Sequence, residues 1–143
     1  MNPDLRKFIA APRGPLPSAL PLVQWVGRPY KKSECYKFFR DAYQEVAGLK
    51  LPESYYEAMA FFTEVPDPRL PRPERFVPEP WDLVAMATFD PLPDLVLHPG
   101  IVIDADRWIH TWSDVGPIIS RFDDERFASR IRWYARPIPP SPR

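Results

Sequence analysis

The order of patterns along the chain predicts an α+β fold in which N-terminal helices pack on a small antiparallel sheet. Three observations carry this. Cys35, Phe38, Phe39, Ala42, Tyr43 and Val46 recur at helical spacing and form one apolar stripe. From Asp82 onward the apolar residues fall into short β-prone runs instead. At 143 residues with an aromatic fraction of 14%, the chain has material for one core and no room for a second domain.

The elements follow in order. Residues 1–17 read as an irregular proline-containing arm, 18–136 as the folded domain and 137–143 as a proline-rich tail. Ser18 is placed to cap a short helix through Val26 that stops at Gly27, with Pro21 in its first turn. The clearest helix runs from Cys35 to Val46, with Ser33 as its N-cap and Gly48 as its stop. A further helix is expected from Glu53 to about Phe62. The proline-rich connection from Pro66 to Pro80 is a loop of a length that is usually functional or external. Strands are expected at Asp82–Phe89, Gly100–Ile103, Arg107–Thr111, Pro117–Ser120 and Ile131–Ala135. Asp104, Ala105 and Asp106 supply the polar turn of a hairpin.

Charge and cysteine content narrow the function. Lys plus Arg equals Asp plus Glu, 19 against 19, so no net field favours nucleic acid or an anionic membrane surface. The only cysteine excludes an internal disulfide and a cysteine-rich zinc site. Pro3, Asp4, Arg6, Lys7, Pro12 and Arg13 interrupt the N-terminal apolar residues, which argues against a secretory signal, and no run suits a membrane span.

The residues that could carry chemistry are Cys35, at the start of its helix, and the chain's two histidines, His98 and His110. Unpaired N–H groups in a helix's first turn favour a thiolate. One histidine can take the proton while a second polar group fixes the ring's tautomer. His98 just before one strand and His110 near the end of its neighbour would meet across a tight hairpin. Each residue alone also has an ordinary structural reading, with Cys35 in the core, His98 in a loop and His110 on a sheet. As metal ligands the three lack an acidic fourth, so no metal and no cofactor is expected. Trp108 and Trp112 flank His110; either could line a groove, and alternating strand aromatics equally pack a core.

Beyond residue type, the motif order resembles the NlpC-type cysteine peptidases, a papain-like family of bacterial cell-wall endopeptidases. Gly27-Arg28-Pro29-Tyr30 resembles the family's Gly-x-Pro-Tyr, and Cys35 to Leu51 resembles its nucleophile helix and Gly-hydrophobic-x-Leu-Pro stop. Trp81-Asp82-Leu83-Val84 is similar to Gly-Asp-Leu-Val, His98-Pro99-Gly100-Ile101 to His-Val-Gly-Ile, and Arg107-Trp108-Ile109-His110 to x-Phe-Ile-His. The resemblance spans roughly residues 20–136. At the nucleophile this chain has Glu34-Cys35-Tyr36-Lys37 where the family has Asp-Cys-Ser-Gly, and Pro99 stands where a strand N–H is usual.

The resemblance implies a papain-like NlpC-type fold and a cysteine endopeptidase that hydrolyses peptide stems of peptidoglycan. Cys35 is then the nucleophile, His98 the general base and acid, and His110 the residue that orients His98. Tyr30 is implied near the oxyanion and Trp112 near the substrate. The stretch from His110 through Arg132 is most similar to members in phage tails and gene-transfer particles. The implied setting is a phage or phage-like tail, made in the bacterial cytoplasm without a signal peptide and acting at the cell wall, with other tail proteins as partners. The rival expectation is a structural tail-tip component that keeps the fold as a docking platform with little or no activity.

Overall fold

A computed structural model describes residues 16–65, 78–87 and 97–138. The arm before residue 16, most of the proline-rich connection (66–77) and the tail from 139 lie outside the described residues.

Local sequence sets each N-terminal element. Pro21 falls in the first turn of a short 3-10 segment, Leu20–Trp25, which buries Leu22 and Trp25 and gives way to Gly27 at φ +80°. This is tighter and shorter than the helix expected from Ser18. Ser18 Oγ accepts the N–H of Leu20 at 3.1 Å rather than capping an α-helix.

The first α-helix, α1, spans Cys35–Ala42 and buries Phe38, Phe39 and Ala42. Its cap differs from the expectation. A 3-10 turn over Lys32–Glu34 precedes it, so Glu34 rather than Ser33 holds the cap position. The Glu34 carboxylate accepts the N–H of Lys31 at 2.8 Å and makes no capping bond to α1. The helix then widens into a π turn over Tyr43–Ala47 and stops at Gly48, whose φ of +73° is the left-handed cap conformation. The buried Tyr43 hydroxyl donates to the Trp81 carbonyl, tying this turn to the sheet. Ser54 caps α2 (Tyr55–Ala58) by accepting the N–H of Glu57 at 3.4 Å. A 3-10 turn, Met59–Phe61, then leads into an extended segment. The single helix expected over 53–62 is therefore broken, and Phe62 already belongs to a strand.

Among the described residues six strands form one antiparallel sheet: β1 (Phe62–Val65), β2 (Leu83–Ala87), β3 (Leu97–Val102), β4 (Arg107–Trp112), β5 (Gly116–Arg121) and β6 (Ile131–Pro137). Their order is β1-β6-β2-β3-β4-β5. The fold is thus α+β, with β2 to β5 neighbours in chain order and β6 returning to pair with both β1 and β2. A four-residue helix, α3 (Glu125–Ala128), capped by Asp124, links β5 to β6. Sequence periodicity gave no sign of β1 or α3.

Alternation along the strands separates two packed layers. Leu83, Ala85, Ile101, Ile103 and Ile109 join Leu22, Trp25, Phe38, Phe39 and Tyr43 in the larger cluster, on the face that α1 covers. Val84, Met86, Val102, Trp108 and Tyr134 form the second cluster with Ala128 and Ile131, and Phe122 and Phe127 pack against it. Asp82, fully buried at the start of β2, receives two bonds from Arg136 at 2.9 and 3.0 Å and the N–H of Glu79 at 2.9 Å. This charge-assisted clamp fixes β2 against β6.

Two contacts set where α1 begins. Gly27 N–H donates to Pro117 O at 3.0 Å, and Lys32 N–H to Asp114 Oδ1 at 3.1 Å, so the segment leading to Cys35 is pinned to the β4–β5 connection. Gly116 makes this approach possible. Its φ is +91°, and a Cβ there would run into the Arg28 carbonyl oxygen. Gly116→Ala combines backbone strain with a clash against main chain and is expected to cost about 3 kcal/mol or more. Thermal unfolding followed by circular dichroism should show a Tm lower by roughly 10 °C.

Candidate active site

Cys35 is the first residue of α1 and is half-buried. Because Glu34 turns its carboxylate back to Lys31, the N–H groups of Cys35 and Tyr36 are left beside the sulfur. Burial pushes the thiol up, and it outweighs the downward pull of those two N–H groups. The resting sulfur is therefore a protonated thiol, not the thiolate expected from a helix N-terminus alone.

The bulky neighbours of Cys35 turn away from it. The Tyr36 hydroxyl donates to the Pro52 carbonyl, and its ring packs on Phe39 at 6.0 Å and Tyr55 at 5.5 Å. Lys37 is exposed, 3.8 Å from Glu34 and 5.7 Å above the Tyr30 ring. Tyr55 is a residue that sequence reasoning missed. Its hydroxyl oxygen is buried with no hydrogen-bond partner among the described residues, and burial pushes its pKa up to about 12. Nothing in the spacing of residues 53–62 marks it out.

His98 lies inside β3, one residue from its start, rather than just before it. Its Nε2 is 2.7 Å from the Thr111 carbonyl oxygen. A carbonyl can only accept, so Nε2 carries the hydrogen and Nδ1 is left as a lone pair. His110, in β4, is fully buried between Trp108, stacked at 5.6 Å, and Phe127 at 5.0 Å. Its Nδ1 donates to the same Thr111 carbonyl at 3.2 Å, and its Nε2 accepts the Ser120 hydroxyl at 2.8 Å. Burial holds both rings neutral. It lowers His98 against the pull of the Thr111 bond. For His110, burial and then the neighbouring His98 bring the pKa down to about 3.

The two histidines meet edge-on with ring centroids 5.8 Å apart. The group that holds the His98 ring is the Thr111 carbonyl, with no hydrogen bond between the two imidazoles. Among the described residues no hydrogen bond joins Cys35 to either ring. Sheet parity sets His98 and α1 on opposite faces. His98 pairs with Met86 in β2, and cross-strand partners share a face, so its Cβ is on the side of Met86 and Trp108, opposite α1. The contacts of Gly27 and Lys32 nevertheless bring the start of α1 to the end of the sheet where β4 finishes. His98 is held at that same end through Thr111.

The remaining candidates are engaged elsewhere. The Tyr30 hydroxyl donates to Asp41 Oδ2 at 2.8 Å, and burial together with that carboxylate makes it a very weak acid. Trp112 is half-buried, with its ring edge on Phe127 at 5.1 Å. Among the described residues no three His, Cys, Asp or Glu side chains group as metal ligands, and no helix is long and apolar enough to cross a membrane. No protein-family model matches this chain, and a search of curated proteins finds no match.

Acyl transfer would require an accessible sulfur at a helix N-terminus beside a neutral imidazole with one nitrogen tied down and the other a base. The structure holds a half-buried sulfur at the start of α1 and a neutral imidazole tied at Nε2, with the sheet between them.

Proposed function

We propose that this protein is a cysteine endopeptidase of the NlpC type, hydrolysing peptide stems of bacterial peptidoglycan as part of a phage or phage-like tail. The observation that carries the reading is the state of His98. Its Nε2–H is fixed on Thr111 O, which leaves Nδ1 as the one basic position, at the sheet end where α1 presents Cys35.

In this reading the Cys35 proton passes to His98 Nδ1 as the sulfur attacks the scissile carbonyl. The N–H groups at the start of α1 stabilise the oxyanion. His98 then protonates the leaving amine, and water activated by His98 hydrolyses the thioester. No cofactor enters. Since the resting thiol is protonated and not bonded to His98, the proton transfer belongs to the substrate-bound state.

A second reading, a structural tail-tip component with little or no activity, is favoured by one observation: the register sets His98 on the sheet face opposite α1. Mass spectrometry of soluble fragments released from purified peptidoglycan separates the two. Stem-peptide fragments from the wild type and none from Cys35→Ala support the peptidase. No fragments from either folded protein support the platform.

A further inference from the structure

We infer that Pro99 is a positioning residue for His98: by withholding a backbone N–H it leaves the Thr111 carbonyl open to hold the imidazole in a single tautomer. The β3–β4 ladder sets which backbone groups should meet. Ile103 N–H donates to Arg107 O at 2.9 Å, so residues 103 and 107 are a hydrogen-bonded pair. Ile101 faces Ile109 in the same register. Hydrogen-bonded pairs recur every second residue, so continuing the register makes 99 and 111 the next but one.

Residue 99 should therefore donate to Thr111 O, and proline cannot. Pro99 stands in β3, an interior strand between β2 and β4, where proline is rarely found. The carbonyl it leaves unserved is the one that takes the Nε2–H of His98 at 2.7 Å and the Nδ1–H of His110 at 3.2 Å. A buried carbonyl without a partner is costly, and here both of the chain's imidazoles satisfy it.

The consequence for rate rests on the peptidase reading; the tautomers do not. Pro99→Val restores the N–H with a side chain of similar size. It is expected to hold or raise Tm, because the ladder regains a bond, while releasing His98 from Thr111. A merely structural proline would not give these opposite effects.

The experiment is long-range proton–nitrogen correlation NMR of uniformly nitrogen-15-labelled wild type and Pro99→Val, with stem-peptide release measured on the same samples. In the wild type His98 is expected as the Nε2–H form and His110 as the Nδ1–H form. In folded Pro99→Val the two nitrogen shifts of His98 should move towards each other as the tautomers mix, and kcat should fall roughly tenfold to a hundredfold with KM little changed. A wild-type His98 carrying its hydrogen on Nδ1 overturns the inference, whether or not the variant folds. So does a folded variant with unchanged His98 shifts. The expected tautomers in a protein that releases no fragments defeat the peptidase reading and leave this inference standing.

Discussion

On the peptidase reading, Cys35→Ala is expected to lower stem-peptide release by roughly 10⁴-fold or more, since removal of the proposed acyl-transfer nucleophile leaves only binding and oxyanion stabilisation. His98→Gln should approach the same loss, because its amide can still donate to Thr111 but offers no imidazole lone pair. The pH profile carries more information than either variant. Burial lowers His98 below its usual 6.5 and raises the Cys35 thiol above 9.0, so the pair proposed to react would be neutral thiol and neutral imidazole. Steady-state rates on a soluble stem peptide should show kcat/KM level from about pH 6.5 to 9, with the acid limb set by His98 and the alkaline limb by the thiol. A narrow optimum near neutrality would indicate a thiolate–imidazolium pair instead.

Acidification is expected to weaken the fold by about 2 kcal/mol between pH 6.5 and 4.5 through His110 alone. Its pKa is about 3 in the folded state against 6.5 when unperturbed, because burial, and after it the adjacent His98, opposes a charge on this ring. The sign follows from proton counting. Below pH 6.5 the unfolded chain takes up a proton at this residue and the native state does not, so stability falls as pH falls. The loss continues to about pH 3, where the native ring also protonates. His98 adds in the same direction. Urea unfolding at pH 7.0, 5.5 and 4.5 measures the slope, and His110→Asn should flatten it. Equal slopes in the two proteins would mean that His110 titrates normally.

Much of this fold was legible because local residues decide it. The helical stripe from Cys35, the stop at Gly48 and the Asp104–Asp106 turn all depend on short-range geometry. What was not legible depends on distant partners. β1 exists because Phe62 and Thr63 pair with Pro137 and Arg136, some seventy residues away, a pairing that no local pattern announces. α3 is four residues long and shows too little of a turn to display a period. The strand at His98 was placed too late because Pro99 and Gly100 are poor strand formers. Register with β2 overrides that preference.

The candidate site divides the same way. Residue order picked out Cys35, His98 and His110, and the structure brings the two rings together. Their face on the sheet was beyond the sequence. Alternation puts His98 opposite Ile101, yet only packing decides that α1 covers the Ile101 side. The thiol state was beyond it too, because a helix N-terminus lowers the pKa by position while burial raises it by surroundings, and burial prevails. Tyr30 was singled out from its motif, but Asp41, one helical turn and a half into α1, takes its hydroxyl.

The central claim is that Cys35 forms a covalent acyl-enzyme. Its most direct test is acid quenching of the wild type mixed with purified stem peptide, followed by peptide mapping for added mass on the segment that contains Cys35. An adduct of the mass of the acyl portion of the stem, on Cys35 and absent from Cys35→Ala, is the predicted result. A folded wild type that carries no adduct and leaves the stem peptide intact would contradict the claim and favour the structural platform.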